Sequence, residues 1–176
     1  MKYAIVYLIR GKAEKYHQKL VREVGPKFGE NYLLENPLPS HVTLKSPFRT
    51  NKIKKIELLI RAFVKKQHQY GILMGNFGNF RKFVIFSKTK FSRPARKIQK
   101  NLIKELKKLK GLKFQRYDLH FKPHATIAYG NTKINFNLIW NYLKKKNKQK
   151  FNLKFDNISI IRKPKYWEIY KIYKIN

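Results

Sequence analysis

The sequence contains no cysteine, few acidic residues and no apolar segment long enough to cross a membrane. The absence of cysteine excludes disulfides, thiolate metal sites and cysteine nucleophiles. Only 9 Asp and Glu residues are present, which disfavours a carboxylate-rich metal centre. The apolar run from Tyr3 to Ile9 is much shorter than the roughly 20 residues of a membrane helix, and no cleavage site of a signal peptide follows it. We therefore expect a soluble, cytoplasmic protein with no membrane partner.

Positive charge dominates the composition. The chain has 42 Lys and Arg residues against 9 Asp and Glu, a formal net charge of +33. Such an excess is typical of proteins that bind a polyanion, most often RNA or DNA. Drift toward lysine in a biased genome is the alternative explanation. Hydrophobic residues still make up 43% of the 176 residues, enough for a core that buries roughly 70% of the unfolded surface. We expect one folded domain over residues 1–176.

The order of the predicted elements occurs twice along the chain. A strand at Lys2–Ile9, a helix at Ala13–Val24 that stops at Gly25-Pro26, a Pro-led strand at His41, a helix and two strands form the first copy. The second copy begins at the strand Lys82–Ser87 and has the same order around His124. The copies cover roughly residues 1–88 and 82–176. This order predicts an α+β fold of two small sheets with packed helices, related by a pseudo-twofold axis.

Each copy carries a His-x-Thr-apolar tetrapeptide at the start of a Pro-led strand. The first is His41-Val-Thr43-Leu and the second is His124-Ala-Thr126-Ile. Such a pair arises by chance in less than about 1% of shuffled chains of this composition. Residues i and i+2 of a strand point to the same face. Each tetrapeptide therefore presents an imidazole and a hydroxyl to one cleft, while its apolar residues face a core.

Two imidazoles and two hydroxyls that converge on one point suit a phosphodiester. One imidazole takes a proton from the attacking nucleophile and the other gives a proton to the leaving oxygen. The hydroxyls of Thr43 and Thr126 donate hydrogen bonds to the non-bridging oxygens. Histidine fits both proton-transfer roles because its ordinary pKa lies near neutrality. This chemistry requires no metal ion and no cofactor.

The paired tetrapeptides HVTL, followed by KSPF, and KPHATIAYG resemble those of the 2H phosphoesterase superfamily. The resemblance is strongest to its bacterial 2′-5′ RNA ligase, or RNA 2′,3′-cyclic phosphodiesterase, branch. It implies a bilobal fold around a central cleft, with His41 and His124 as the catalytic pair and Thr43 and Thr126 as phosphate-binding residues. It also implies that His124 activates the water and His41 protonates the leaving 3′-oxygen. Where the family often has an arginine after the second tetrapeptide, this chain has Tyr129-Gly-Asn131.

Three further residues are candidates for substrate binding. Lys45 should face the same side as Thr43 and could contact a phosphate, with an ordinary solvated lysine as the alternative. Phe48 could stack on a base, with a core position as the alternative. Tyr129 stands on the core-facing parity of an ideal strand, and a bulge or strand end would free it to line the cleft. His17, in a Lys-rich helical context, is expected at the surface.

The sequence therefore predicts a metal-independent enzyme that opens RNA 2′,3′-cyclic phosphate ends to 2′-phosphates, with reversible 2′-5′ ligation as a related activity. RNA is the expected partner, and we expect a monomer. Two alternatives remain at this point. One is an RNA-binding module without catalysis, which would not need matched histidines. The other is a phosphodiesterase of a small nucleotide, such as an ADP-ribose cyclic phosphate or a 2′-5′ oligoadenylate, for which +33 is more charge than one or two phosphates require.

Overall fold

The structure is a computed structural model that describes residues 1–130 and 132–176. Asn131, which the sequence analysis noted after the second tetrapeptide, lies outside the described residues. The described part of the chain forms strands and helices in the order β1 (Lys2–Leu8), α1 (Lys12–Phe28), α2 (Tyr32–Glu35), β2 (His41–Arg49), α3 (Ile53–Val64), β3 (Gly71–Phe80), β4 (Val84–Phe91), α4 (Arg93–Leu106), α5 (Arg116–Leu119), β5 (His124–Tyr129), α6 (Thr132–Lys145), β6 (Phe151–Lys154), β7 (Asn157–Lys163) and β8 (Glu168–Lys174).

The strands form two four-stranded antiparallel sheets. The first sheet has the order β2-β1-β7-β8 and the second has the order β5-β4-β3-β6. Each tetrapeptide strand is thus the edge strand of its sheet, and β2 and β5 lie in contact with each other. The predicted α+β fold of two sheets with packed helices is confirmed, and the two tetrapeptides meet where the lobes join.

The four long helices pack in two pairs, and each pair contains one helix from each half of the chain. Helices α1 and α6 pack on the second sheet, and their core includes Leu20 and Ile139. Helices α3 and α4 pack against each other, and their core, which includes Ile60 and Leu102, contains residues of both sheets. These helices have apolar residues at helical spacing, so each buries one stripe against a sheet. Because each pair contains a helix from each half of the chain, the helix contacts connect the two halves. The division into repeats at 1–88 and 82–176 stays a prediction.

Several element boundaries differ from the sequence prediction. The strand predicted at Lys82–Ser87 is β4, which runs over Val84–Phe91 because Arg81 and Lys82 adopt positive φ in a turn. Helix α1 continues through Gly25-Pro26 and ends at Gly29, whose φ of 66° is left-handed. Proline lacks one N–H and crowds the carbonyl four residues before it, and α1 ends within one turn of Pro26, where Gly29 forms the C-cap. The sequence pattern predicts one strand over about Phe151–Ile161, but the structure splits this segment into β6 and β7, which belong to different sheets. This segment therefore crosses from one lobe to the other.

Candidate active site

His41 and His124 are the first residues of the two edge strands that meet between the lobes. His41, Thr43, His124 and Thr126 are all half-buried, while the residues between them are fully buried. This alternation is the one expected of a strand with one face on a core. The four polar side chains therefore share the cleft between the sheets, as the spacing predicted.

Both tetrapeptides end in a β-bulge at the same position. In β2 the extra residue is Leu44, and in β5 it is Ile127. A bulge places one additional residue in a strand and reverses the inward and outward parity after it. Consequently Tyr129 faces the cleft, as the sequence analysis allowed for a bulge. Its side chain is 47% exposed and lines the cavity of His124.

The two histidines are held in the same way. Nδ1 of His41 lies 2.7 Å from the carbonyl oxygen of Pro39, and Nδ1 of His124 lies 2.7 Å from that of Lys122. A carbonyl oxygen can only accept, so each Nδ1 carries the proton and donates. In the neutral ring this fixes Nε2 as the basic atom. Each imidazole is therefore oriented by the backbone two residues earlier in the chain, with Nε2 available for proton transfer.

The surroundings favour neutral imidazoles. Burial lowers the pKa of His41, an effect that the carbonyl of Pro39 partly offsets and that the charge of nearby His124 increases. Burial also lowers the pKa of His124. The rings of Phe80 and Phe86 pack on His124 at centroid distances of 4.9 and 5.0 Å and shield part of it from water. Because the two histidines interact, protonation of one makes protonation of the other less favourable.

Two cavities are lined by this pair, one by each histidine, and each cavity draws on both tetrapeptides. One has a volume of about 330 Å³ and is lined by His41 together with Thr126. The other has a volume of about 470 Å³ and is lined by His124 together with Thr43. Each cavity thus combines the histidine of one strand with the threonine of the other. The second is aromatic, and its further lining residues, which the sequence analysis missed, include Phe80, Tyr117, His120 and Phe121.

The structure corrects the prediction for Lys45. The bulge at Leu44 turns this side chain into the core, where it is fully buried. Its Nζ lies 2.9 Å from Oδ2 of Asp118 and donates to the carbonyl oxygen of Ser46. Burial alone would raise the pKa of Asp118, but hydrogen bonds from the backbone of Gln115 and Ser46 and from Lys45 lower it. Lys45 therefore does not face a substrate phosphate.

Phe48 also lies in the core. It is 6% exposed and packs against Tyr3 at a centroid distance of 6.2 Å. The ammonium of Lys45 lies 5.4 Å from its ring centroid. The core position that the sequence analysis gave as the alternative is the one observed, and base stacking by Phe48 is not possible in this arrangement. The aromatic surface of the cleft comes instead from Tyr129 and the residues around His124.

His17 is a buried link between the two tetrapeptide strands, and the prediction that it lies at the surface is wrong. It is 6% exposed, its Nδ1 lies 2.9 Å from Oγ of Ser40, and its Nε2 lies 2.9 Å from the carbonyl oxygen of Thr126. Since that carbonyl accepts, Nε2 donates to it and Nδ1 accepts from Ser40. The neighbours of His17 on α1 show a signal for burial, because Ala13, Leu20 and Val24 share its helix face.

Acid should destabilise the protein through His17. Burial lowers the pKa of His17 to about 4, from an ordinary value of 6.5. Between these values the unfolded histidine binds a proton and the folded one does not, so stability falls as pH falls, by up to about 3 kcal/mol. We expect urea unfolding at pH 7.5 and pH 4.5 to show this loss, and the loss to be smaller in His17→Gln. His68→Gln, at an exposed position, is the control, and a His17→Gln variant with the wild-type pH dependence would contradict the assignment.

Neither a cluster of metal ligands nor a membrane-spanning helix is found among residues 1–130 and 132–176. In that part of the chain no three or more His, Cys, Asp or Glu side chains are grouped so that they could hold a metal ion. Over the same residues, none of the helices has both the length and the apolar character needed to span a bilayer.

A known protein family and solved structures resemble this chain. The family model of the 2′-5′ RNA ligase superfamily matches residues 15–166. A comparison with curated proteins found no significant match. The crystal structure of TT0787 of Thermus thermophilus is similar, with a TM-score of 0.67 at 15% identity over 99% of this chain and 98% of that one.

Two crystal structures of E. coli LigT are also similar to this chain. The complex with 3′-AMP has a TM-score of 0.62 at 11% identity, over 99% of this chain and 98% of LigT. The complex with phosphate has a TM-score of 0.59 at 11% identity, over 99% and 97%. At these identities the similarity shows the fold. Because the family model spans most of the sequence, including both tetrapeptides, the chain belongs to the 2′-5′ RNA ligase superfamily of 2H phosphoesterases.

Proposed function

We propose that this 2H phosphoesterase hydrolyses RNA 2′,3′-cyclic phosphate ends to 2′-phosphates. The observation that carries the proposal is the matched pair of imidazoles, each with Nδ1 fixed on a backbone carbonyl. One base and one acid on opposite sides of a phosphorus atom are what an in-line displacement needs. A module that only binds RNA has no use for two histidines oriented in this way.

In the proposed reaction Nε2 of His124 takes a proton from water as the water oxygen bonds to phosphorus. The bond between phosphorus and the 3′-oxygen breaks, and the imidazolium of His41 gives its Nε2 proton to that oxygen. The product is a 2′-phosphomonoester beside a free 3′-hydroxyl. A 5′-hydroxyl of a second RNA in the place of water would instead give a 2′-5′ bond. These proton transfers leave His124 charged and His41 neutral, and solvent restores the starting state.

Thr43 and Thr126 are placed to hold the phosphate. Each lies two residues after a histidine on the same strand face, and the two line different cavities beside the pair. Their hydroxyls can donate to the two non-bridging oxygens, whose charge increases in the transition state. The solved LigT complexes with 3′-AMP and with phosphate support a nucleotide phosphate as the ligand of this fold.

The test is a short RNA with a 2′,3′-cyclic phosphate end, incubated with the purified protein in the presence of EDTA. We expect a 2′-phosphate as the product, identified by chromatography against both phosphate isomers. A 3′-phosphate would mean that the other ester bond breaks. Loss of activity in EDTA, with recovery on addition of a divalent cation, would contradict catalysis by the histidines alone.

The pH dependence of kcat/KM should be bell-shaped, with its maximum below pH 6.5. One imidazole must be neutral and the other protonated, so the rate falls when the pH lies above or below both pKa values. Burial lowers the pKa of His41 and of His124, which moves the maximum to the acid side of the ordinary value. Steady-state rates on a cyclic-phosphate substrate between pH 4.5 and 9 measure this. A maximum above pH 7.5 would show that these two groups do not set the profile.

A further inference from the structure

We infer that the RNA strand leaves the catalytic cavity along α4, in a groove between α4 and α5 whose cations bind its phosphates. This inference rests on the proposed function and names the path of its substrate. The groove has a volume of about 610 Å³, and its basic lining residues are Arg96, Lys97, Lys100, Lys104 and Lys107. It is separate from the cavities that hold His41 and His124.

The cations form a row on one face of α4. Lys97, Lys100, Lys104 and Lys107 follow one another at intervals of three or four residues, which places them about 4.5–6 Å apart along the helix axis. All four are exposed. A regular row of exposed cations fits an extended chain of phosphates better than it fits a single anion, because each cation can neutralise a successive charge.

The groove carries no free negative charge among its described lining residues. Its one acidic residue, Asp118, is buried and paired with Lys45. Glu105, which also lies on α4, lines a different cavity and is paired with Lys108 at 2.7 Å. The lysines of the groove therefore face solvent with their charge uncompensated. This is the condition under which a polyanion displaces only counterions when it binds.

The groove adjoins the catalytic cavity. Asp118 and Phe121 line both, so α5 and the residues after it form the wall between them. Arg96 donates from Nη2 to the carbonyl oxygen of Phe121 at 2.9 Å, and its guanidinium lies 5.7 Å from the Phe121 ring. The basic row is thus attached to the rim of the cavity that contains His124. A strand whose end is bound there meets Arg96 as it crosses the rim.

The rim itself offers surfaces for bases. Tyr117, which lines the catalytic cavity, is 64% exposed, and Leu119, which lines the groove, is 52% exposed. An exposed aromatic ring beside a row of cations is the combination by which proteins bind single-stranded nucleic acid, with stacked bases and neutralised phosphates. An acidic peptide would use the lysines but would have no bases to stack.

A second basic cavity, near the end of α6, is a weaker candidate. It is lined by Lys88, Lys144 and Lys148 near the end of α6, and it shares none of its described lining residues with the two cavities of the active site. One neighbouring lysine, Lys146, is already paired with Glu23 at 2.7 Å. The α4 groove is favoured because it touches the catalytic cavity directly.

The test compares Lys100→Gln/Lys104→Gln/Lys107→Gln with the control Lys52→Gln/Lys55→Gln/Lys65→Gln, which removes the same charge at exposed positions in and beside α3. Binding of a ten-nucleotide RNA with a cyclic-phosphate end is measured by fluorescence anisotropy over a salt series. The groove variant should lose about 10²-fold in affinity at 50 mM salt, and its slope of log K against log salt should become shallower by about 2. The control should lose much less.

Hydrolysis of a mononucleotide 2′,3′-cyclic phosphate separates this inference from the proposed function. None of the three groove lysines lines the catalytic cavity, so kcat and KM on the mononucleotide should stay at the wild-type values. Equal losses of RNA affinity in both variants would overturn the groove. Competition by polyglutamate as strong as that by RNA would also overturn its assignment to RNA. A wild-type protein that hydrolyses neither substrate would refute the proposed function, while the binding data would still decide on the groove.

Discussion

Alanine at His41 or at His124 is expected to lower turnover of a 2′,3′-cyclic phosphate by about 10²–10⁴-fold. That is the usual contribution of one positioned general acid or base. Each ring is fixed by one hydrogen bond from Nδ1 to a backbone carbonyl. Because Nε2 is the atom that carries the reacting proton, truncation to alanine removes the proton-transfer group itself. Single-turnover rates at saturating substrate give the loss directly, without a contribution from product release.

The double variant tests whether the two histidines act as a pair. If the two histidines act as a pair, His41→Ala/His124→Ala should be little slower than the worse single variant, since residues that act as a unit are not additive. Both single variants should remain folded and bind RNA, because each ring is only half-buried and stands at the first residue of an edge strand. His68→Ala, at an exposed position, is the control. Turnover near that of the wild type in either single variant would refute the mechanism.

The candidate site could be predicted because its signal is local. Two residues on the same strand, separated by one, share a face whatever the rest of the fold does. The matched tetrapeptides at His41 and His124 therefore indicated a shared cleft, and the structure places both at the edges of touching sheets. The order of the elements indicated two sheets with helices in the same way, because it depends on apolar periodicity within each segment.

What the sequence could not predict depends on contacts between distant segments. The parity of Lys45 is reversed by the bulge at Leu44, and that bulge follows from how β2 pairs with β1. The partner that makes a buried lysine possible, Asp118, is 73 positions away in α5, and their ion pair is visible only in the folded chain. An unpaired lysine would not remain buried, so this position required knowledge of both residues.

For His17, the sequence allows part of the observed environment to be predicted. Its spacing from Ala13, Leu20 and Val24 places it on the apolar face of α1, so its burial was open to prediction. Its hydrogen bonds to Ser40 and to the carbonyl of Thr126 were not. They exist because α1 packs against β5, a strand from the other half of the chain. The lysines near His17 indicate which face of the helix is exposed, and they give no information about the residues on the opposite face.

The length of the RNA and the salt concentration should act together on affinity. The catalytic cavities have volumes of about 330 and 470 Å³, room for one phosphate and the nucleosides beside it, so most of the net charge of +33 can act only on a longer strand. Each phosphate neutralised on a single strand contributes about −0.7 to the slope of log K against log salt. A ten-nucleotide RNA that meets five cations should therefore lose about 10³-fold in affinity over a tenfold rise in salt.

A mononucleotide cyclic phosphate, with one phosphate, should lose only about fivefold over the same range. The rate of the chemical step at saturation should differ much less between the two substrates, since both present the same bond to the same histidines. A phosphodiesterase of small nucleotides would instead bind long and short substrates alike, with little salt dependence. Equal affinities at low salt would therefore assign the net charge of +33 to the composition of the genome and remove RNA as the preferred substrate.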